Sequence, residues 1–395
     1  MSLPADTEKE KSASKAALIS FSSLLGWGFE LFDFTTFIYA ATLFAPYFFP
    51  AADANTSLLY AFATTAVAFF ARPVGGFVFG HYGDRMGRKT AWFTSLVGMG
   101  VVTLGIACLP TYQQVGIAAT VALVSLRLLQ GFFLAGEQAG GWVLVAEVSP
   151  AKYRALFSGI VAAATPFSGI LLSIALFIAT ALAPGAMYPV WGWRIIFLVG
   201  AVPLALALVI RWKAGESVEW KVKAAPKVEK IPLFTAIRTD LRFFLVILFS
   251  FAGQALFIYS AVTFLPSFFT LYTKITVPQI ATITLVTNIL SIAMAPIWGL
   301  ISDVRKSRKW FIALGFIINA ITIYPVMVVI GWSDFWYAML AKAVLVAFVP
   351  MATSALPIWI AENTKSTIRY SMTATGAGFG AEIGRLGPDL EVFLR

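Results

Sequence analysis

Apolar runs long enough to cross a bilayer recur along the whole of this 395-residue chain, since about 20 residues suffice for a spanning helix. Nothing else in the sequence constrains the fold as tightly. Runs at 17–45, 57–80, 90–110, 115–146, 155–183, 192–212, 241–272, 279–302, 309–331 and 335–361 predict ten spans, and an eleventh starts near Tyr370. The runs are continuously apolar rather than alternating. That selects helices over a barrel, because a span in lipid must satisfy its own backbone hydrogen bonds. The chain is 59% hydrophobic and only 12% charged, where a soluble domain carries about 25% charged residues. An all-α polytopic membrane protein is expected.

A net charge of +10 could suggest a nucleic-acid partner, but its distribution argues otherwise. With the N-terminus inside, most of the 29 Lys and Arg fall in the N-terminal tail or in loops on the same side. They are Lys9, Lys11 and Lys15; Arg85, Arg88 and Lys89; Lys152 and Arg154; the group between Arg211 and Arg242; Arg305, Lys306, Arg308 and Lys309; and Lys365 and Arg369. The opposite loops hold Lys274 and Arg194. This is positive-inside asymmetry. The charge sets topology: a cell-membrane protein surrounded by lipid, N-terminus in the cytoplasm, with no nucleic-acid face. The first span is too long for a signal peptide and carries Glu30 and Asp33, so it should be retained. The single Cys108 allows no intrachain disulfide, and with one histidine a His/Cys metal site is not expected.

The stretch "RWKAGESVEWKVKAAPKVEKIPLFTAIRTDLR" is the longest polar segment and separates six spans from the rest. It divides the chain into a tail (1–16), a six-helix half (17–212), a linker (213–240) and a second half (241–395). A motif then repeats across the division. Gly80 and Asp84 in "GHYGDRMGRK" match Gly299 and Asp303 in "GLISDVRKSRK", each after the second span of its half. Two halves related by an internal repeat are the mark of a repeat-built transporter. Gly76 and Gly80 have GxxxG spacing for close helix approach, Gly83 and Gly87 would permit a tight turn, and Asp84 would cap a neighbouring helix N-terminus.

The stretch "ARPVGGFVFGHYGDRMGRK" resembles the loop motif of the major facilitator superfamily. It is most similar to the metabolite–proton symporter branch, near the sugar porters. "GWGFELFDF", "RLLQGFFLAGEQAGGWVLVAEVSPAKYRA" and "WGWRIIFLVG…GESVEW" resemble that branch's first, fourth and sixth helices. The resemblance covers about residues 17–380 and implies the major facilitator fold of two six-helix halves, with a monomer as the family default. It implies a gating role for Gly80, Gly83, Asp84, Arg85, Gly87, Arg88 and Lys89, with Asp84 latching the halves near Arg369 and Tyr370. Gly299, Asp303 and Arg308 carry the weaker second copy, and Asp303 would make the symmetric contact near span five. Glu147 and Arg154 resemble inner-gate charges.

Ionisable groups inside a membrane are costly and are functional candidates by default. Glu30 and Asp33 share one face of span one, and Arg127 in span four needs an acidic partner, for which Asp33 is the best placed. Asp33 would pair with Arg127 when ionised and release it when protonated, a proton-coupling element in which Glu30 shares. Related sugar porters use the same element; a static ion pair is the alternative. Arg127, Gln130, Glu137, Gln138, Gln254 and Tyr259 are candidate substrate contacts. Glu137 is equally open to the proton path or a helix–helix bond, and Gln254 and Tyr259 to helix–helix bonds. Lys342 in span ten is expected to snorkel outward, with a cavity-facing position as the alternative.

Spans eleven and twelve depart from the family pattern: "YSMTATGAGFGA" runs into the charged "EIGRLGPDLEVFLR", leaving about ten or eleven helices. Proton-coupled symport of a small organic acid or zwitterion by alternating access is the leading function. A sugar porter or uniporter of the same fold is next, and a non-transporting sensor or relic is the reading from another class. His81 and Asp84 form no catalytic set and no Walker A sequence is present, so neither an enzyme nor an ATP-driven pump is expected. No cofactor is expected beyond the coupling proton.

Overall fold

The computed structural model describes residues 13–51, 53–86, 88–133, 142, 145, 146, 148–213, 240–305, 307–364 and 380; for Glu30, 79–86, 88–93 and 201–213 among others it describes backbone alone. The described residues form a helical bundle. The first half contains α1 (Ala13–Phe48), α2 (Ala54–Met86), α3 (Arg88–Ala107), α4 (Ile117–Phe133), α5 (Arg154–Ala162 and Ala164–Leu182) and α6 (Tyr188–Lys213). The second half contains α7, α8 (Val277–Arg305), α9 (Arg308–Gly331) and α10 (Phe335–Asn363). Helix α7 is built from Leu241–Phe257, a π-helical segment Ile258–Thr263, and Leu265–Tyr272. Among the described residues, 6 helices are long and apolar enough to cross a membrane.

Polar residues mark where these helices start. Asp240 accepts from the Phe243 backbone N–H, and Asp334 from those of Trp336 and Tyr337, so each carboxylate meets donors that a helix start leaves unpaired. The tight turn expected at Gly83 and Gly87 is corrected in part. Helix α2 runs through Gly83 to Met86, and only position 87, outside the described residues, separates it from α3. A glycine within a long apolar helix costs only about 1 kcal/mol, which the rest of α2 overrides.

Small residues bring the halves together. A Cβ on Gly299 of α8 would strike the Ala155 carbonyl, and one on Gly159 of α5 would strike that of Ala295. The α5 and α8 backbones therefore lie in direct contact, as small residues permit in lipid, where packing replaces the hydrophobic drive. Helix α1 meets α7 at a second inter-half seam. There Phe34 packs edge-on to Tyr259 at 5.0 Å, and the Ser267 hydroxyl donates to the Ile38 carbonyl at 3.3 Å. Gly380, the described residue of the expected eleventh span, is helical and lies against Phe251 and Ala252 of α7.

Candidate functional site

Three polar features stand out in this apolar bundle. The first lies within the first half. Asp33 on α1 is 9% exposed, and Arg127 and Gln130 on α4 are each 2% exposed. The Thr103 hydroxyl on α3 donates to Asp33 Oδ1 at 2.7 Å, and the Gln130 amide nitrogen donates to Asp33 Oδ2 and to Thr103 Oγ1, the latter at 3.1 Å. The Arg127 guanidinium donates to the Gln130 carbonyl oxygen and lies over the Phe37 ring, 3.7 Å from its centroid. Helical spacing explains the assembly. Asp33 and Phe37 are one turn apart on α1, and Arg127 and Gln130 one turn apart on α4.

The sequence expectation that Asp33 pairs with Arg127 is thereby refined, because Gln130 stands between them. Gln130 was expected to contact substrate; here both ends of its amide are engaged within the cluster. The side chain of Glu30 lies outside the description.

The second feature is a cavity of about 20 Å³ between the halves, lined by Ala162, Thr165 and Pro166 of α5, Ile258 and Val262 of α7, Asn288 and Ser291 of α8, and Val346, Val349, Pro350 and Thr353 of α10. Gln254 and Tyr259, expected as substrate contacts or as helix–helix bonds, are not in this lining. Tyr259 is rotated onto Phe34 of α1, so the π segment presents Ile258 and Val262 instead. Gln254 sits one turn before Ile258, 8% exposed, and its carbonyl oxygen has no hydrogen-bond partner among the described residues. Arg127 also lies off this lining. Glu137 and Gln138 fall outside the described residues.

Lys342 is corrected outright. It does not snorkel: it is 1% exposed and its Nζ donates to Thr284 Oγ1 at 2.9 Å. It sits mid-bundle on the face of α10 that meets α8, and snorkelling needs an outward face.

The third feature joins the halves at the basic end. Asp303, in the last turn of α8, accepts from the backbone N–H groups of Ala155 (3.1 Å) and Leu156 (2.9 Å) at the start of α5. A carboxylate at a helix N-terminus meets both free donors and the positive end of the dipole. Arg308 donates to Asp303 at 2.9 Å and grips Glu362 of α10 through Nε (2.7 Å) and Nη2 (3.0 Å). Arg154 of α5 lies 3.9 Å from Glu362. The side chains of Gly80 to Met86, Arg88 and Lys89, and residues Gly87 and Glu147, fall outside the description, as does the Asp84 latch.

Glu362 escaped the sequence reading although a signal for it existed. "AEVSPAKYR" (146–154) and "AENTKSTIR" (361–369) share Ala-Glu and an arginine seven residues after the glutamate, so Glu362 is the repeat partner of Glu147.

Replacing Arg308 by Met should cost about 3 kcal/mol of stability, because it strands the Asp303 carboxylate, whose side chain is 2% exposed. A thermal melt of the purified variant checks this. An unchanged melt would show that the backbone donors of α5 alone support Asp303.

Known proteins place the chain. A family profile described as Major Facilitator Superfamily matches residues 17–274. The chain is 31% identical over 387 residues to the shikimate transporter of Escherichia coli (strain K12), covering 94% of this chain and 85% of that protein. It is 38% identical over 223 residues to the inner membrane metabolite transport protein YhjE of the same organism, covering 56% of this chain and 51% of that protein. The chain thus spans about half the length of that second relative. The crystal structure of a D-xylose-proton symporter superposes with a TM-score of 0.68 at 18% identity, covering 94% of this chain and 89% of that one; at that identity the likeness concerns the fold.

Proposed function

We infer from membership of the major facilitator superfamily, to which this multi-pass membrane chain belongs, that it is a proton-coupled secondary transporter of a small polar metabolite working by alternating access. The observation that carries this reading is the buried cluster of Asp33, Thr103, Gln130 and Arg127. An ionised carboxylate that accepts from Thr103 and Gln130 holds α1, α3 and α4 in one arrangement. Protonation turns one of its acceptor oxygens into a donor. The Gln130 amide nitrogen then loses one of its two acceptors and keeps Thr103 Oγ1, so the Gln130 side chain, and Arg127 bound to it, shift together. Phe34, the residue after Asp33, touches Tyr259 of the second half, so the change reaches the seam between the halves.

Closure of the opposite seam supports the same reading. Asp303, Arg308 and Glu362 tie α5 to α8 and α10 through a few hydrogen bonds and ion pairs rather than a covalent link, so the seam can part when the halves rock. The basic end is read as cytoplasmic. Organic acids and zwitterions are the favoured substrates.

The test is uptake of labelled shikimate, proline, betaine and xylose into proteoliposomes, with and without an inward proton gradient. Accumulation of one compound that depends on the gradient supports symport. Equilibration indifferent to the gradient would replace symport by uniport, and absence of both uptake and counterflow by folded protein would remove the transporter reading.

A further inference from the structure

Among the described residues, Lys342 is a buried cation that takes no part in the coupling cluster or in the contacts at the basic end. Lys342 Nζ carries three N–H donors, and Thr284 on α8 is the acceptor the structure gives it, at 2.9 Å. The flanking residues are apolar: Ala338, Ala341 and Leu345 on α10, and Ile280 and Ile283 beside Thr284, belong to one buried cluster. Among the described residues, no charged or titratable group on the helices packed around Lys342 is hydrogen-bonded or ion-paired to it. Asp303, Arg305, Arg308, Glu362 and Arg154 are at the basic end, while Tyr324 of α9 and Tyr337 of α10 point outward, 77% and 55% exposed. A cation kept in an apolar interior with a single hydroxyl is expensive and marks a functional position by default.

Its register supplies the function. Asn288 lies one turn beyond Thr284 on α8, and Val346 one turn beyond Lys342 on α10; both line the central cavity. The Lys342–Thr284 pair is therefore the next layer of the same two helix faces, on the side away from the basic end.

We propose that Lys342 and Thr284 form the anion-recognising subsite of the central site, taking the carboxylate of a small organic acid or zwitterion when the second half opens away from the basic end. The proposal rests on the transporter reading and divides labour between two cations. Arg127, bound to Gln130 and stacked on Phe37, serves the coupling carboxylate, whereas Lys342, with donors to spare, serves the substrate.

The experiment measures binding to the purified full chain, with shikimate as the carboxylate probe and xylose as the neutral one, alongside counterflow in proteoliposomes. Lys342→Met keeps the length of the side chain and removes its charge. Shikimate affinity should fall about ten- to hundred-fold, the range of a charge-assisted hydrogen bond, with any xylose affinity unchanged. Thr284→Val should weaken shikimate several-fold, and it decides the matter if the Met variant does not fold. Wild-type shikimate affinity in folded Lys342→Met would overturn the proposal. So would a wild-type protein that binds xylose and not shikimate, although counterflow of xylose would then leave the transporter reading intact. A folded wild type that neither binds nor exchanges any probe removes both.

Discussion

Asp33→Asn is expected to end gradient-driven accumulation while sparing substrate exchange. The replacement is nearly isosteric, and its carbonyl oxygen can still accept from Thr103, which donates to Asp33 at 2.7 Å. What it removes is the ability to gain and lose a proton. An inward gradient of one pH unit supplies about 1.4 kcal/mol per proton, enough for about tenfold accumulation by a one-proton symporter. The variant should fall to the equilibrium ratio whatever the gradient. Counterflow, in which labelled and unlabelled substrate exchange with no net movement of protons, should persist. The measurement is uptake at matched and unmatched pH together with counterflow. Undiminished accumulation by the variant would place the coupling proton elsewhere, and Glu30 on the same face of α1 would be the next residue to replace.

The second large effect is expected from Gly299→Leu. A Cβ at this position meets the Ala155 carbonyl and lies 3.0 Å from the Leu156 Cα. Both are backbone atoms of α5, so no change of rotamer relieves the clash and the helices must separate. Overfilling a tight contact costs about 1–3 kcal/mol or more. Separation would also pull Asp303, one turn on from Gly299, off the N-terminus of α5. The variant should melt lower and stand open at the basic end. Spin labels on Lys152 and Arg305, with Cys108 replaced by Ser, would report a longer distance than in the parent. An unchanged distance and melt would show that the halves do not depend on this contact.

Most of the helical frame was legible in the sequence, because an apolar run of spanning length leaves the backbone few alternatives. Span seven was read as 241–272 and α7 occupies that range, and span ten, read as 335–361, is α10. The site was less legible. Periodicity placed Asp33 and Arg127 inside the membrane, yet it could not show that Gln130 lies between them, because the link depends on how α1 and α4 are rotated against each other. Lys342 was misjudged for the same reason. A lysine on a helix of nearly uniform apolarity gives no sign of which face it occupies, and the contact with α8 decides that. Tyr259 lies in the π segment, where the wider turn changes which face a residue takes, whereas the place of Gln254, before that segment, depends on how Leu241–Phe257 is rotated against its neighbours. Glu362 was readable from the repeat of Glu147, but only by aligning the ends of spans four and ten.

That wider turn has a consequence for how α7 can move. Ile258–Thr263 are wound with an i→i+5 pattern, so the segment stores one residue more than regular helix would need. The surplus works as a phase setting. Each residue of an α-helix advances the azimuth by about 100°, so winding the surplus out, or passing it along, would turn Leu265–Tyr272 by roughly that amount. Ser267, which donates to the Ile38 carbonyl, and Phe269, which is fully buried, would then face other neighbours, while Leu241–Phe257 kept its place. Helix α7 thus has a clutch at its centre, and its two ends can keep different angular settings against α1.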